Sequence, residues 1–151
     1  MCIRDSVSTV YATDGEAGTA PGRKSATVLL VDDDRTYLEM VALKLELEGH
    51  AVVTATDGAE GLELARRQLP DIIFLDAALS GLDGLDLLTR LKADQATRDI
   101  PVVVVSGHCE RLLIENCRRL GAIDYLVKSM SVPATLSSAV ESYVRVRSAA
   151  A

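Results

Sequence analysis

The chain is expected to fold as a doubly wound α/β domain around a five-stranded parallel sheet, and two features of its sequence predict this. Short, unbroken apolar runs alternate with segments of helical periodicity, and four of those runs deliver a chemically useful side chain. Val28–Val31 precedes Asp32-Asp33-Asp34, Ile72–Leu75 precedes Asp76, Val102–Val105 precedes Ser106, and Ile123–Val127 precedes Lys128. Continuous runs of β-branched residues and Leu are the pattern of strands buried on both faces. Polar groups at successive strand ends converge only if the strands run parallel, because ligands then sit outside the carboxyl ends.

Each element follows from local chemistry. After the first strand, Leu38, Val41, Ala42 and Leu45 supply one face of a helix over about 35–48, and Gly49 stops it. Val52–Ala55 is a second strand, and Asp57-Gly58 turns into a helix carrying Leu62, Ala65 and Leu69. Pro70 ends that helix before the third strand. A loop with Gly81 and Gly84 leads to a short helix with Leu85, Leu88 and Leu91, and Pro101 opens the fourth strand. Residues 109–120 suit a helix with Leu113, Cys117 and Leu120 on one face, closed by Gly121. The final helix, about 132–147, places Leu136, Ala139, Val140, Tyr143 and Val144 on one stripe. Five strands alternating with five helices give a doubly wound sheet, with right-handed crossovers placing helices on both faces.

A chain of 151 residues suits one such domain. Aromatics make up only 3% and Trp is absent, so aliphatic side chains must fill the core. The formal charge of −6 argues against a nucleic-acid binder, and Arg66-Arg67 and Arg118-Arg119 are too sparse for a basic patch. Cys2, Cys109 and Cys117 form no metal-binding spacing, and without a signal peptide they read as reduced thiols in a cytoplasmic protein. No apolar stretch approaches the ~18 residues of a membrane span. Residues 1–25, rich in Gly, Ala, Ser and Thr, read as a disordered or loosely ordered tail before a domain over 26–148, with no further domain after it.

Asp76 is the sharpest candidate. A single Asp at a strand end serves as readily to cap a turn. Asp32 and Asp33, however, end a second inner strand, and three gathered carboxylates repel unless a cation compensates them. Oxygen donors of this kind suit Mg²⁺, while Asp34 reads as the cap of the first helix. Ser106 can cap a turn or hydrogen-bond a phosphoryl oxygen. Lys128 can be a solvated surface lysine or a point charge facing that group. Positioning and charge neutralisation are most of what phosphoryl transfer requires.

In these residues the sequence resembles the receiver domains of two-component response regulators over about 26–147. The resemblance implies a flavodoxin-like sheet of order 2-1-3-4-5, with Asp76 as phosphoacceptor. It also implies Mg²⁺ held by Asp32, Asp33, Asp76 and the backbone carbonyl of Ala78. Ser106 and Tyr125 match the switch pair, Lys128 the active-site lysine, and Gly121–Lys128 the segment around the fifth strand. The implied partner is a sensor histidine kinase or histidine phosphotransfer protein. A downstream protein would bind the face formed by the fourth helix, fifth strand and fifth helix, and a phosphorylation-dependent dimer is the other association implied. Neither direct nucleic-acid contact nor a membrane is implied, and the only catalysis is the domain's own phosphorylation and dephosphorylation.

Two positions depart from the family pattern: Leu79-Ser80 stands where Met-Pro is common, and Ser129 follows Lys128 in place of Pro. Two rival readings are a phosphorylation-independent pseudo-receiver and a small Mg²⁺-dependent phosphohydrolase. The complete Asp32, Asp33, Asp76, Ser106 and Lys128 set argues against the first. Ala78, where the second needs an acid, argues against the other.

Overall fold

The computed structural model describes residues 25–79, 83–107, 110–128 and 133–150, with side chains of the last helix through 144. In chain order the elements are β1 (Thr27–Val31), α1 (Arg35–Leu47), β2 (Ala51–Ala55), α2 (Gly58–Gln68), β3 (Ile72–Asp76), α3 (Gly84–Ala93), β4 (Val102–Ser106), α4 (Arg111–Arg119), β5 (Asp124–Val127) and α5 (Pro133–Ala150). All strand pairs are parallel, in one sheet of order β2-β1-β3-β4-β5. The expected doubly wound, flavodoxin-like topology is therefore present.

Period-two alternation divides the strand side chains between two cores. Leu29, Val31, Ile73, Leu75, Val102 and Val104 pack with Leu62 and Ala65 of α2, Leu87, Leu88 and Leu91 of α3, and Cys117 of α4. On the other face Val28, Leu30, Ile72, Phe74, Val103 and Val105 meet Leu38, Val41 and Leu45 of α1, and Leu136, Ala139 and Val140 of α5. Both cores are almost wholly aliphatic, as the scarcity of aromatics requires. A charged residue one step beyond a strand end inherits the parity of its strand. The choice of face for each site residue is set by this alternation.

Helix entries are fixed by aspartates. Asp34, Asp57 and Asp83 cap α1, α2 and α3, accepting from Tyr37 N, from Glu60 N, and from Leu85 N and Asp86 N. Gly49 (φ +97°) and Gly121 (φ +114°) end α1 and α4 in the left-handed region, where a side chain is strained. The start of β1 is tied by side chains: Ala26 N donates to His50 Nδ1 at 3.0 Å, and Thr27 N to Asp71 Oδ2 at 2.8 Å. Apart from Ser25, the expected N-terminal tail falls outside the described residues, as do Cys109, Ser129 and Val132.

Two apolar assignments change. Leu69, expected on the buried face of α2, is 54% exposed and adopts φ +45° as the helix cap. Pro70 accounts for the helix ending here, since the residue before a proline is disfavoured in the helical region. Ile123 precedes β5 and is 47% exposed. On α4 the expected face is present: Cys117 is buried, and Leu113 and Leu120, partly covered, pack against the same core.

Replacing Leu69 by Gly removes left-handed strain from an exposed side chain, partly offset by the entropy of an unfolded glycine. Leu69→Gly should therefore raise stability by roughly 0.5–1 kcal/mol in urea denaturation. A loss of stability would contradict the strain assigned to this cap.

Candidate functional site

β1 and β3 are neighbours in the register Val31↔Leu75, so the next residues, Asp32 and Asp76, lie level with each other. Alternation turns both toward the α1/α5 side of the sheet. They are 3% and 7% exposed, whereas Asp33, one residue further, is exposed. One carboxylate oxygen from each of the three lies within 4.8 Å of the others.

From the far side of the sheet, Lys128 follows the end of β5 and reaches into this group. Its Nζ is 2.6 Å from Asp32 Oδ2 and 3.6 Å from Asp76 Oδ2. The remaining oxygens are engaged from the backbone: Asp34 N donates to Asp32 Oδ1 at 2.9 Å, and Ala78 N to Asp76 Oδ1 at 3.0 Å. Each buried acid thus has one oxygen held by an amide and the other facing the lysine. Ala78 makes this contact through its N–H.

Burial raises the Asp32 pKa above its usual value, aided by the charge of Asp76 and opposed by Lys128 and the Asp34 amide. For Lys128, burial acts to lower the pKa, but the Asp32 hydrogen bond and the charges of Asp32 and Asp76 prevail and raise it. The two directions describe an ammonium held charged by its acids and a carboxylate whose burial its partners do not fully offset. Three hard oxygen donors in such a pocket fit a divalent cation of the Mg²⁺ type.

Ser106 ends β4, fully buried, one residue beyond Val105, the partner of Asp76. Its parity is that of Val104, so it projects to the α2/α3/α4 side. Tyr125 pairs with Val104 and belongs to that same core, 9% exposed. The two expected switch residues therefore share one face, on neighbouring strands, two positions apart.

Sequence reasoning missed two residues. Gly84 begins α3 against the strand end, and a Cβ there would lie 2.2 Å from the Asp76 carbonyl oxygen. Only glycine permits this approach; the signal was a glycine directly after the capping Asp83. Tyr37, one turn into α1, places its ring 4.4 Å from Lys128 Nζ. Burial, the largest cause, pushes its pKa up to about 12, so it is a neutral phenol.

The family model of the response regulator receiver domain matches residues 28–141. The chain belongs to this family. It is 41% identical over 108 residues to the response regulator PleD of Caulobacter vibrioides, covering 69% of this chain but 23% of PleD. It is 36% identical over 103 residues to the protein PilH of Pseudomonas aeruginosa, covering 68% of this chain and 85% of PilH. The receiver domain of the Francisella response regulator 1452 superposes with a TM-score of 0.75 at 28% identity, covering 82% of this chain and 99% of that one. The receiver domain of sensor histidine kinase PA1611 from Pseudomonas aeruginosa, with magnesium coordinated in its active-site cleft, gives 0.73 at 26% identity, covering 80% and 98%. Among the described residues no helix is long and apolar enough to cross a membrane.

A carboxyl whose folded pKa lies above the unfolded one stabilises the fold below the unfolded pKa, and that contribution is lost as pH rises through the folded value. Ionised Asp32 therefore costs stability at neutral pH. In the absence of divalent cations, Asp32→Asn should melt at higher temperature than wild type at pH 7, the difference shrinking as pH falls toward 3.8, the ordinary value. A variant less stable at pH 7 would show that the Lys128 contact outweighs the burial cost.

Proposed function

We propose that this receiver domain is a phosphoacceptor, taking a phosphoryl group onto Asp76 from a phosphohistidine on a sensor histidine kinase or histidine phosphotransfer protein. The observation that carries the reading is the convergence of Asp32, Asp33 and Asp76 on one point, with the Lys128 ammonium between the two buried acids.

Asp76 Oδ1 is held by the Ala78 amide, which leaves Oδ2 as the nucleophile. Oδ2 attacks phosphorus and the N–P bond breaks; its electron pair leaves with the partner's imidazole, which carries a proton on its other ring nitrogen and so departs as a neutral ring. Asp32, Asp33, Asp76 and the Ala78 carbonyl would hold Mg²⁺, which when bound offsets charge on the phosphoryl oxygens. Lys128, already 3.6 Å from Asp76 Oδ2, is placed to pair with a phosphoryl oxygen. Ser106 donates its hydroxyl to another. Drawing Ser106 toward the acid vacates space on the face it shares with Tyr125, and inward movement of that ring changes the α4–β5–α5 surface. A downstream protein, or a second copy in a phosphorylation-dependent dimer, reads that surface. The setting is cytoplasmic, and no direct nucleic-acid contact is involved.

Against a pseudo-receiver stands the full set of Asp32, Asp33, Asp76, Ser106 and Lys128 in this sequence. A phosphohydrolase would want an acid two residues after the nucleophile, where Ala78 stands.

Incubation with Mg²⁺ and a small phosphodonor, followed by intact-mass measurement, tests the proposal. A single phosphoryl adduct is expected in wild type and none in Asp76→Asn. Absence of an adduct with every donor would favour the pseudo-receiver, and turnover of diverse phosphate esters the hydrolase.

A further inference from the structure

Among the described residues three side chains lie close to the Lys128 ammonium, and the proposed reaction engages two of them. Asp32 and Asp76 face the ammonium now, but both are also called on by a cation and, for Asp76, by phosphorus. The third neighbour is the face of Tyr37, 4.4 Å from Nζ to the ring centroid. A cation over an aromatic face is attracted by the ring quadrupole, and this attraction does not compete for carboxylate oxygens.

Two further observations give the ring a use. Lys128 lies just past the end of β5 and is followed by Ser129, so no proline ring restricts the backbone that carries it. Tyr37 is fixed at its own end. Its amide donates to the capping Asp34 at 3.1 Å, and its ring packs against the α1/α5 core. The acidic run that supplies the site thus also starts the helix that aims the ring. The phenol oxygen is buried, with no hydrogen-bond partner among the described residues. An unpaired buried hydroxyl contributes no net stabilisation, so packing, and not the hydroxyl, holds the ring in place.

We propose that Tyr37 is a positioning residue for Lys128: its ring face holds the ammonium beside the acids while Asp32 and Asp76 exchange partners. The proposal rests on the phosphoacceptor reading for its consequence, though not for the contact itself.

The test uses the full chain as wild type, Tyr37→Phe and Tyr37→Leu, each with Lys128 intact or changed to Ala. The first readout is the proton resonance of the Lys128 ε-methylene, assigned by its loss in Lys128→Ala. It should be displaced upfield by the ring in wild type and Tyr37→Phe and return to the ordinary lysine position in Tyr37→Leu. The second is the rate of adduct formation with Mg²⁺ and a small phosphodonor. Tyr37→Leu should slow it roughly threefold to thirtyfold, the range of a partly desolvated cation–aromatic contact. Tyr37→Phe should restore it, and Tyr37→Leu should cost nothing further once Lys128 is Ala. Should the leucine variant not fold, Tyr37→Met, which keeps length without a ring, carries the same expectations. An unshifted Lys128 signal in wild type overturns the proposal, as does an equal slowing by Tyr37→Leu with Lys128 absent. Failure of wild type to form any adduct refutes the phosphoacceptor reading instead, and the Lys128 resonance then decides the placement by Tyr37.

Discussion

Like charges forced together at the carboxyl edge of the sheet are the constraint around which the molecule is arranged. Asp32 and Asp76 are level because β1 and β3 pair in register, and they are buried because both strands are internal. Two carboxylates in that position, with Asp33 beside them, repel each other and lose hydration. The fold offsets this with what it has: one backbone amide for each buried acid and one ammonium shared between them. The offset is incomplete, as the raised pKa of Asp32 shows. An incompletely compensated pocket is a poor stabilising element and a good receptor for cations.

The sheet separates two tasks by the alternation of its strands. Asp32, Asp76, Lys128 and Tyr37 lie on the side covered by α1 and α5. Ser106 and Tyr125 project to the side covered by α2, α3 and α4. On the proposed function, charge on Asp76 is met within the first group, and Ser106 and Tyr125 carry the response from the second to the α4–β5–α5 surface. Because Ser106 follows the residue paired with Asp76, the two tasks meet one residue apart at the end of β4.

Much of this was legible in the sequence, for physical reasons. Each inner strand is an unbroken aliphatic run ended by a polar group, a pattern that survives any detail of packing. Strand order was not in the periodicity; it came from the family resemblance around Gly121–Lys128. Leu69 and Ile123 are apolar yet exposed: one caps α2 just before Pro70 and the other stands before β5 begins, positions that periodicity does not resolve. The acids were identified by position along their strands. That Lys128 sits closer to Asp32 than to Asp76 depends on the heights of three strand ends, which spacing does not encode. Tyr37 and Gly84 escaped for a related reason: their roles arise where a helix turns against a strand end, and no one-dimensional pattern records that approach.

The acid cluster has the donor set of a divalent-cation site, and Asp33 offers the cleanest test of that assignment because it is exposed and outside both cores. The most direct measurement is the thermal midpoint of wild type and Asp33→Ala as Mg²⁺ is raised at constant ionic strength. A ligand that binds only the folded state stabilises it progressively with concentration. Wild type should melt at steadily higher temperature once Mg²⁺ exceeds its dissociation constant, and Asp33→Ala should need far more Mg²⁺ for the same rise. An unchanged wild-type midpoint, or an identical response in Asp33→Ala, would contradict the claim.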